Sequence, residues 1–281
     1  MNSFSANWRD RVYHGFMLSM NRLSIVTAML LATSAIAQTA EPETQTTTQT
    51  GDLRMTFKFK GDVPKPKPLE VPAFCGNLDM LDETLIVNGN NKGIMNVVVY
   101  AYGGRDENRF PKFTARNKKL NLDCWNCRFV PRVTLAQRGD TLKVQNKDPI
   151  GYNTSFDFFK NDAINIALAP GNDKTVELEH TEPTVIPVAA SIFPWMVGHV
   201  LVVDHPFYAV SNPDGVVTIR DLPVGEKMVF RAWHETGTFK EQIFVAGQET
   251  QWEANRFEVE IKSGMNDLGE IEIPGSAFGI K

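Results

Sequence analysis

Residues 189–199, AASIFPWMVGH, place a thioether, Met196, in a short Pro-Trp loop three residues after Phe193. A trigonal copper site needs two imidazoles and a thiolate, with a methionine as a long axial ligand. Before Met196 this loop carries neither: Ala190 and Phe193 bring only a methyl group and a benzene ring. The three cysteines, Cys75, Cys124 and Cys127, invite other chemistry through the spacing Cys124-Trp-Asn-Cys127. A c-type haem attachment needs His directly after the second Cys, and Arg128 stands there. A thioredoxin-like site wants a helix to follow, whereas RFVPRVTL reads as strand, and zinc lacks a second ligand pair at a workable spacing. An odd count in an oxidising setting is met most simply by one disulfide and one free thiol. Residues alone leave open which thiol is free.

Apart from His14, the histidines are His180, His199, His205 and His234. His199 and His205 are six apart, about 20 Å along an extended strand, too far to chelate one ion without a bend. Each is expected to be satisfied within the fold or to lie at the surface. No Gly-x-Ser-x-Gly elbow, His-Glu-x-x-His, phosphate loop or Ser-x-x-Lys is present, and no carboxylate pair stands out by spacing, so no enzyme is expected. Asn153-Thr-Ser155 is a glycosylation sequon, without weight if the protein is bacterial.

The elements that position these residues begin after residue 51. Arg22 precedes an uncharged stretch, LSIVTAMLLATSAIA, ending in Ala35-Ile36-Ala37, the pattern of a secretory signal peptide over 1–37. The true start falls at Met1, Met17 or Met20. Residues 38–51 are a Thr/Gln-rich linker without large apolar side chains. The protein is therefore expected to be exported, periplasmic or extracellular, and bacterial. A net charge of −4 for the whole chain, with no Lys/Arg cluster, argues against nucleic acid as a partner. Nor is a basic amphipathic helix present for a membrane surface, and no membrane insertion is expected after cleavage.

From Asp52 onward the pattern is β. MTFKF alternates with period two, and MNVVVYAY (95–102) suits a central strand. VTLAQRGDTLKVQN (133–146) reads as two strands around a Gly-Asp turn, which explains Arg138-Gly139-Asp140 better than an adhesion motif does. TVELE, TVIPVAA and HVLVVD continue the series. FYAV and VVTI around Asn212-Pro-Asp-Gly215 predict a hairpin, and KMVFRAWH, EQIFVA, FEVEI and GEIEI come after the turn at Leu222–Gly225. Short strands at this spacing predict two all-β sandwiches, over 52–203 and 204–281.

Two stretches, CRFVPRVTLAQRGDTLKVQNKDPIGYNTSF and VIPVAASIFPWMVGHVLVVDHPFYAV, resemble exported cupredoxins, the plastocyanin-like and methylamine-utilisation type. The resemblance covers about a quarter of the chain well and 52–126 more loosely. It implies a Greek-key sandwich in which a strand ending in Asn-x-Asp leads to a His-Asn pair, and a later Cys-x-x-His-Pro-Trp-Met loop completes a copper site. Asn146, Asp148 and Asn153 match. The ligand positions hold Tyr152, Ala190 and Phe193, and only Met196 is kept. These replacements imply a former copper pocket filled with hydrocarbon, in which Phe193 contributes about 2 kcal/mol by burial and Tyr152 turns its hydroxyl to a partner. The resemblance also implies a Cys75–Cys127 disulfide, worth about 4 kcal/mol in the chain-entropy model, with Cys124 free.

Residues 204–249, through NPDGVVTIRDLPVGEKMVFRAWHE with Gly215 and Gly225, resemble a carboxypeptidase-regulatory-like, prealbumin-type sandwich. That module accompanies carbohydrate-active domains, so Trp195 and Trp233 are candidate stacking surfaces if exposed. The expected function is an exported, non-catalytic binding or structural protein without a cofactor, its partner an envelope or periplasmic protein or a polysaccharide. The alternatives are a copper electron carrier with unorthodox ligands and a carbohydrate-binding accessory module.

Overall fold

The computed structural model describes residues 49–76, 79–104, 110, 112–225, 227–239 and 242–280. The expected leader, 1–37, and most of the linker lie outside them. The linker's last two residues are already strand, because β1 runs Thr50–Lys60. A one-turn helix, α1 (Ala73–Gly76), and a short strand, β2 (Val98–Ala101), come next. Nine strands succeed them: β3 (Lys119–Trp125), β4 (Arg128–Val130), β5 (Val133–Gln137), β6 (Thr141–Asn146), β7 (Tyr152–Phe156), β8 (Ile164–Leu168), β9 (Asp173–Glu177), β10 (Ile186–Ala189) and β11 (Val197–Val203). The chain ends with β12 (Tyr208–Val210), β13 (Val216–Pro223), β14 (Lys227–Trp233), β15 (Ile243–Val245), β16 (Gln248–Thr250), β17 (Arg256–Glu260) and β18 (Gly264–Pro274). No described helix is long and apolar enough to cross a membrane.

The all-β architecture is as the spacing predicts: four sheets form two sandwiches, but the chain divides between them differently. One sandwich stacks β4-β3-β6-β9 on β5-β11-β10-β7-β8 around Leu122, Val144, Phe156, Val188, Val200 and Val202. The other stacks β13-β1-β18-β15-β16 on β12-β2-β14-β17. The expected boundary at 204 assigns β1 and β2 to the first sandwich. They belong to the second: β1 lies between β13, antiparallel, and β18, parallel, and β2 lies between β12 and β14. The physical reason is the inward row Leu53, Met55, Phe57 and Phe59, buried against Val217, Ile219, Phe230 and Ile271.

The β3–β11 sandwich is thus an insertion into a host built from both ends of the chain. Its entry and exit lie side by side: Tyr100 pairs with Tyr208, and Ala101 N donates to Phe207 O at 2.9 Å. Neighbouring ends are what a domain needs in order to be inserted without distorting its host.

A third cluster joins the sandwiches. Val98 and Tyr100 on the outer face of β2 meet Leu201 and Val203 on the outer face of β11, with Trp233 packed alongside. Both strands are buried on two faces, which is why MNVVVYAY and HVLVVD read as unbroken apolar runs.

Two turn predictions have different outcomes. Asn212–Gly215 is a turn, with Gly215 N donating to Asn212 O at 2.9 Å and Gly215 at φ +82°. A Cβ there would meet Phe57 O at 2.1 Å, so glycine is required. The expected hairpin does not form. One rung closes, Asn212 N to Val216 O at 3.1 Å, and then β12 and β13 diverge into opposite sheets. At Arg138–Asp140 the turn reading holds. Asp140 is fully buried and accepts from Gln137 N and Lys118 N, with Arg116 as its ion partner.

Candidate functional site

The end of β6 builds one wall of the site. Asn146 Nδ2 donates to Ile150 O at 2.6 Å and Leu168 O at 3.1 Å, and its Oδ1 accepts from Asp148 N at 3.0 Å. Asp148 in turn accepts from Asn126 N (2.8 Å), Cys127 N (2.9 Å) and the Tyr152 hydroxyl (2.6 Å). Asn126 and Cys127 are consecutive non-glycine residues at φ +51° and +55°. Two successive amides turned to one carboxylate form an anion nest, and the carboxylate holds that uncommon backbone in place. Burial first, and then Asp148, raise the Tyr152 pKa, so the phenol stays neutral and donates.

The opposite wall is the loop from Ala190 to Met196. Phe193 N donates to Ala190 O, Met196 N to Phe193 O and Ala190 N to Met196 O, at 3.2, 2.8 and 3.3 Å. Asn153 ties the loop down, accepting from Ser191 N at 3.0 Å and donating to Ser191 Oγ at 2.7 Å. Tyr152, Ala190, Phe193 and Met196 are all buried in one cluster. The Phe193 ring sits edge-on to Tyr152, centroids 5.2 Å apart, and edge-on to Phe74 at 5.6 Å.

These residues do not fit copper. They offer one thioether, with a phenol already committed to Asp148, a methyl group and a benzene ring. Cys124, in the same cluster, is the free thiol. Its Sγ lies 3.8 Å from Thr154 Oγ1, and burial pushes its pKa up to about 11, so it is no ready thiolate. Among the described residues no three His, Cys, Asp or Glu side chains gather to hold a metal.

The disulfide joins Cys75 to Cys127, Cα atoms 6.0 Å apart, and pins α1 beside the loop. Trp195 donates its indole N–H to Cys127 O at 3.2 Å and is half-buried. The two candidate aromatics lie apart. Trp233, likewise half-buried, packs in the cluster between the sandwiches, its ring 4.8 Å from that of His199.

His205 is satisfied within the fold, Nε2 at 3.0 Å from Ala101 O and Nδ1 accepting from Phe207 N, and His180 is exposed. His199 departs from expectation, since its Nδ1 is buried without a hydrogen-bond partner among the described residues. Burial, then Arg132 and His234, lower its pKa to about 3; burial, then Arg132, lower that of His234 to about 4.

Sequence reasoning missed the charged residues beside the loop. Arg132, just before β5, pairs with Glu235, just after β14, and Arg128 pairs with Glu83. The Arg128 Nε–Glu83 Oε1 distance is 2.7 Å, but its angle falls short of a hydrogen bond. No local signal marks partners so far apart in the chain.

No family model matches the chain, and no curated protein matches it significantly. Among solved structures it is similar to a copper-containing nitrite reductase from Thermus scotoductus (17% identity, TM-score 0.28) over 30% of this chain, and that match spans 22% of the reductase. It is also similar to a purple cupredoxin from Nitrosopumilus maritimus (20% identity, TM-score 0.25), over 30% of this chain and 98% of that one. A Cu(I) form of an amicyanin mutant matches at 14% identity and TM-score 0.27, over 32% of this chain and 85% of the other. At TM-scores this low the likeness carries no argument about function.

Proposed function

We propose that the chain is an exported, non-catalytic binding or structural protein. Its inserted sandwich is cupredoxin-like, with hydrocarbon in place of the type 1 copper ligands. One observation supports this above the rest: Tyr152 meets Ala190, Phe193 and Met196 of a separate loop in one buried cluster, with the Tyr152 hydroxyl turned away to Asp148. A disulfide fits an oxidising compartment. In this reading the sandwich presents a surface to an envelope partner and moves no electrons.

The test is metal analysis of the native protein purified from its own cells, together with its visible spectrum. The reading expects no stoichiometric copper and no intense visible band after Cu(II) is added. Stoichiometric copper at this loop, or a strong thiolate-to-copper band, would return the protein to the electron carriers.

A further inference from the structure

Each of the four sheets ends in two edge strands, and an edge presents unpaired N–H and C=O groups that another strand can take up. Seven of these edges are guarded in ways that prevent such pairing. β4, β12 and β16 are only three residues long. β9, β13 and β17 each carry two or three charged side chains. β5 is buried at four of its five residues, where the inserted sandwich meets its host.

β8 (Ile164–Leu168) has none of these protections. It closes one side of the sheet β5-β11-β10-β7-β8 and pairs with β7 along its whole length without a bulge. Its sequence, INIAL, holds no charge and no proline. Ala163 and Ala169, both exposed, extend the uncharged stretch at either end. Apart from its ladder to β7 and one bond from Asn146 Nδ2 to Leu168 O at 3.1 Å, its backbone makes no hydrogen bond among the described residues. A row of backbone groups therefore faces outward unpaired, on a segment whose composition favours strand pairing.

The pattern of the strand selects its partner. Ile164, Ile166 and Leu168 face the core, whereas Asn165 and Ala167 are exposed on the outer face. An antiparallel copy related by a twofold axis beside Ile166 sets Ile164 against Leu168 and Asn165 against Ala167. Every inner pair is then apolar with apolar, every outer pair is small and uncharged, and no like charges are opposed. The same axis sets Ala163 against Ala169. Each molecule has one such edge among the described residues, so pairing consumes it and stops at two copies.

We infer that two copies of this chain form a twofold dimer by antiparallel pairing of β8 with β8, which joins their sheets into one. The paired strands are short, so the dimer belongs to the weak class and its population depends on concentration.

The test is sedimentation equilibrium of the whole protein from about 1 µM to about 1 mM, the span of weak affinities, with amide hydrogen exchange at both limits. The average mass rises towards that of a dimer, and the amides of residues 164–168 gain protection at the higher concentration. Asn165→Lys combined with Ala167→Lys opposes lysines in both outer pairs and weakens the dimer by about tenfold. Asn165→Lys combined with Ala167→Asp sets lysine against aspartate across the axis and restores it, a rescue that a parallel or shifted register does not give. Both positions are exposed, and circular dichroism establishes that each variant is folded. A protein that stays monomeric throughout overturns the inference and leaves the edge to a strand of another protein. A dimer indifferent to the paired lysines, protection gained elsewhere but not in β8, or growth beyond two copies overturns it as well.

Discussion

Arg132 and Glu235, 103 residues apart, meet as a bidentate pair, Nε to Oε1 at 2.6 Å and Nη2 to Oε2 at 2.7 Å. The pair is a clasp between the inserted sandwich and its host, and both side chains are largely buried, 11% and 9% exposed. Burial nevertheless raises the Glu235 pKa in spite of the guanidinium, so desolvation outweighs the attraction. Such a pair adds little net stability, yet losing one member costs a great deal. Arg132→Met or Glu235→Leu alone should destabilise by about 3–5 kcal/mol, each leaving a buried charge unmatched. The double variant should recover most of that loss. Urea denaturation of the four proteins checks this, and strictly additive losses would show that the two side chains do not act as a pair.

Acid should weaken the fold within a defined window. The pKa values of His199, His205 and His234 are lowered by burial to about 3, 4 and 4. The unfolded chain takes up protons at these residues near pH 6.5, and the folded chain does not until about pH 4. Unfolding therefore binds protons between those limits, and stability falls as pH falls through them. The loss is about 2 kcal/mol per histidine by pH 5. Carboxylates with lowered pKa values, such as Asp140, act at lower pH and do not mimic this. Denaturation midpoints measured from pH 7.5 to 4.5 should decline steeply, and His199→Asn should flatten the slope. A flat profile in the wild type would mean that the histidines are not buried as neutral side chains.

How much of this was legible depends on the range of the interaction. The inward row from Leu53 to Phe59 is local alternation and reads directly. The choice of β13 and β18 as its neighbours rests on residues at least 160 positions away, and alternation carries no partner label. β2 reads as a central strand and β11 as one more strand of the series, but an apolar run does not say that its two faces serve different sandwiches. At the loop, Asn146, Asp148, Tyr152, Phe193 and Met196 were found through the motif that the family resemblance supplies. Arg132 and Glu235 were missed because only the crossing of insert and host brings them together.

The insertion topology makes β1 indispensable to the host. Leu53, Met55, Phe57 and Phe59 are at most 3% exposed, and each contributes about 1.5–3 kcal/mol through burial. Their sum rivals the whole stability of an ordinary domain, roughly 5–15 kcal/mol. A chain lacking residues 50–60, or residues 204–281 expressed alone, should give no cooperative thermal transition and no near-ultraviolet dichroism. A cooperative transition from residues 204–281 alone would show that the C-terminal part is self-sufficient and that β1 is an accessory strand.

The filled pocket can be tested by restoring it. Phe193 and Tyr152 approach within 5.2 Å between ring centroids, and the loop's hydrogen bonds hold Ala190 and Met196 beside them. The backbone thus already brings these four positions together, and what it lacks is donors. Tyr152→His, Ala190→Cys and Phe193→His together should supply two imidazoles and a thiolate beside the existing thioether, the trigonal set that copper takes. The Tyr152 change removes a donor to Asp148, but Asn126 N and Cys127 N still satisfy that carboxylate, so the expected cost is only about 1 kcal/mol. The folded triple variant should bind one Cu(II) with an intense visible charge-transfer band, and each double variant should lose it. A folded triple variant that takes up no copper would mean that these four side chains do not occupy the positions of a ligand set, and with that the account of a filled copper pocket fails.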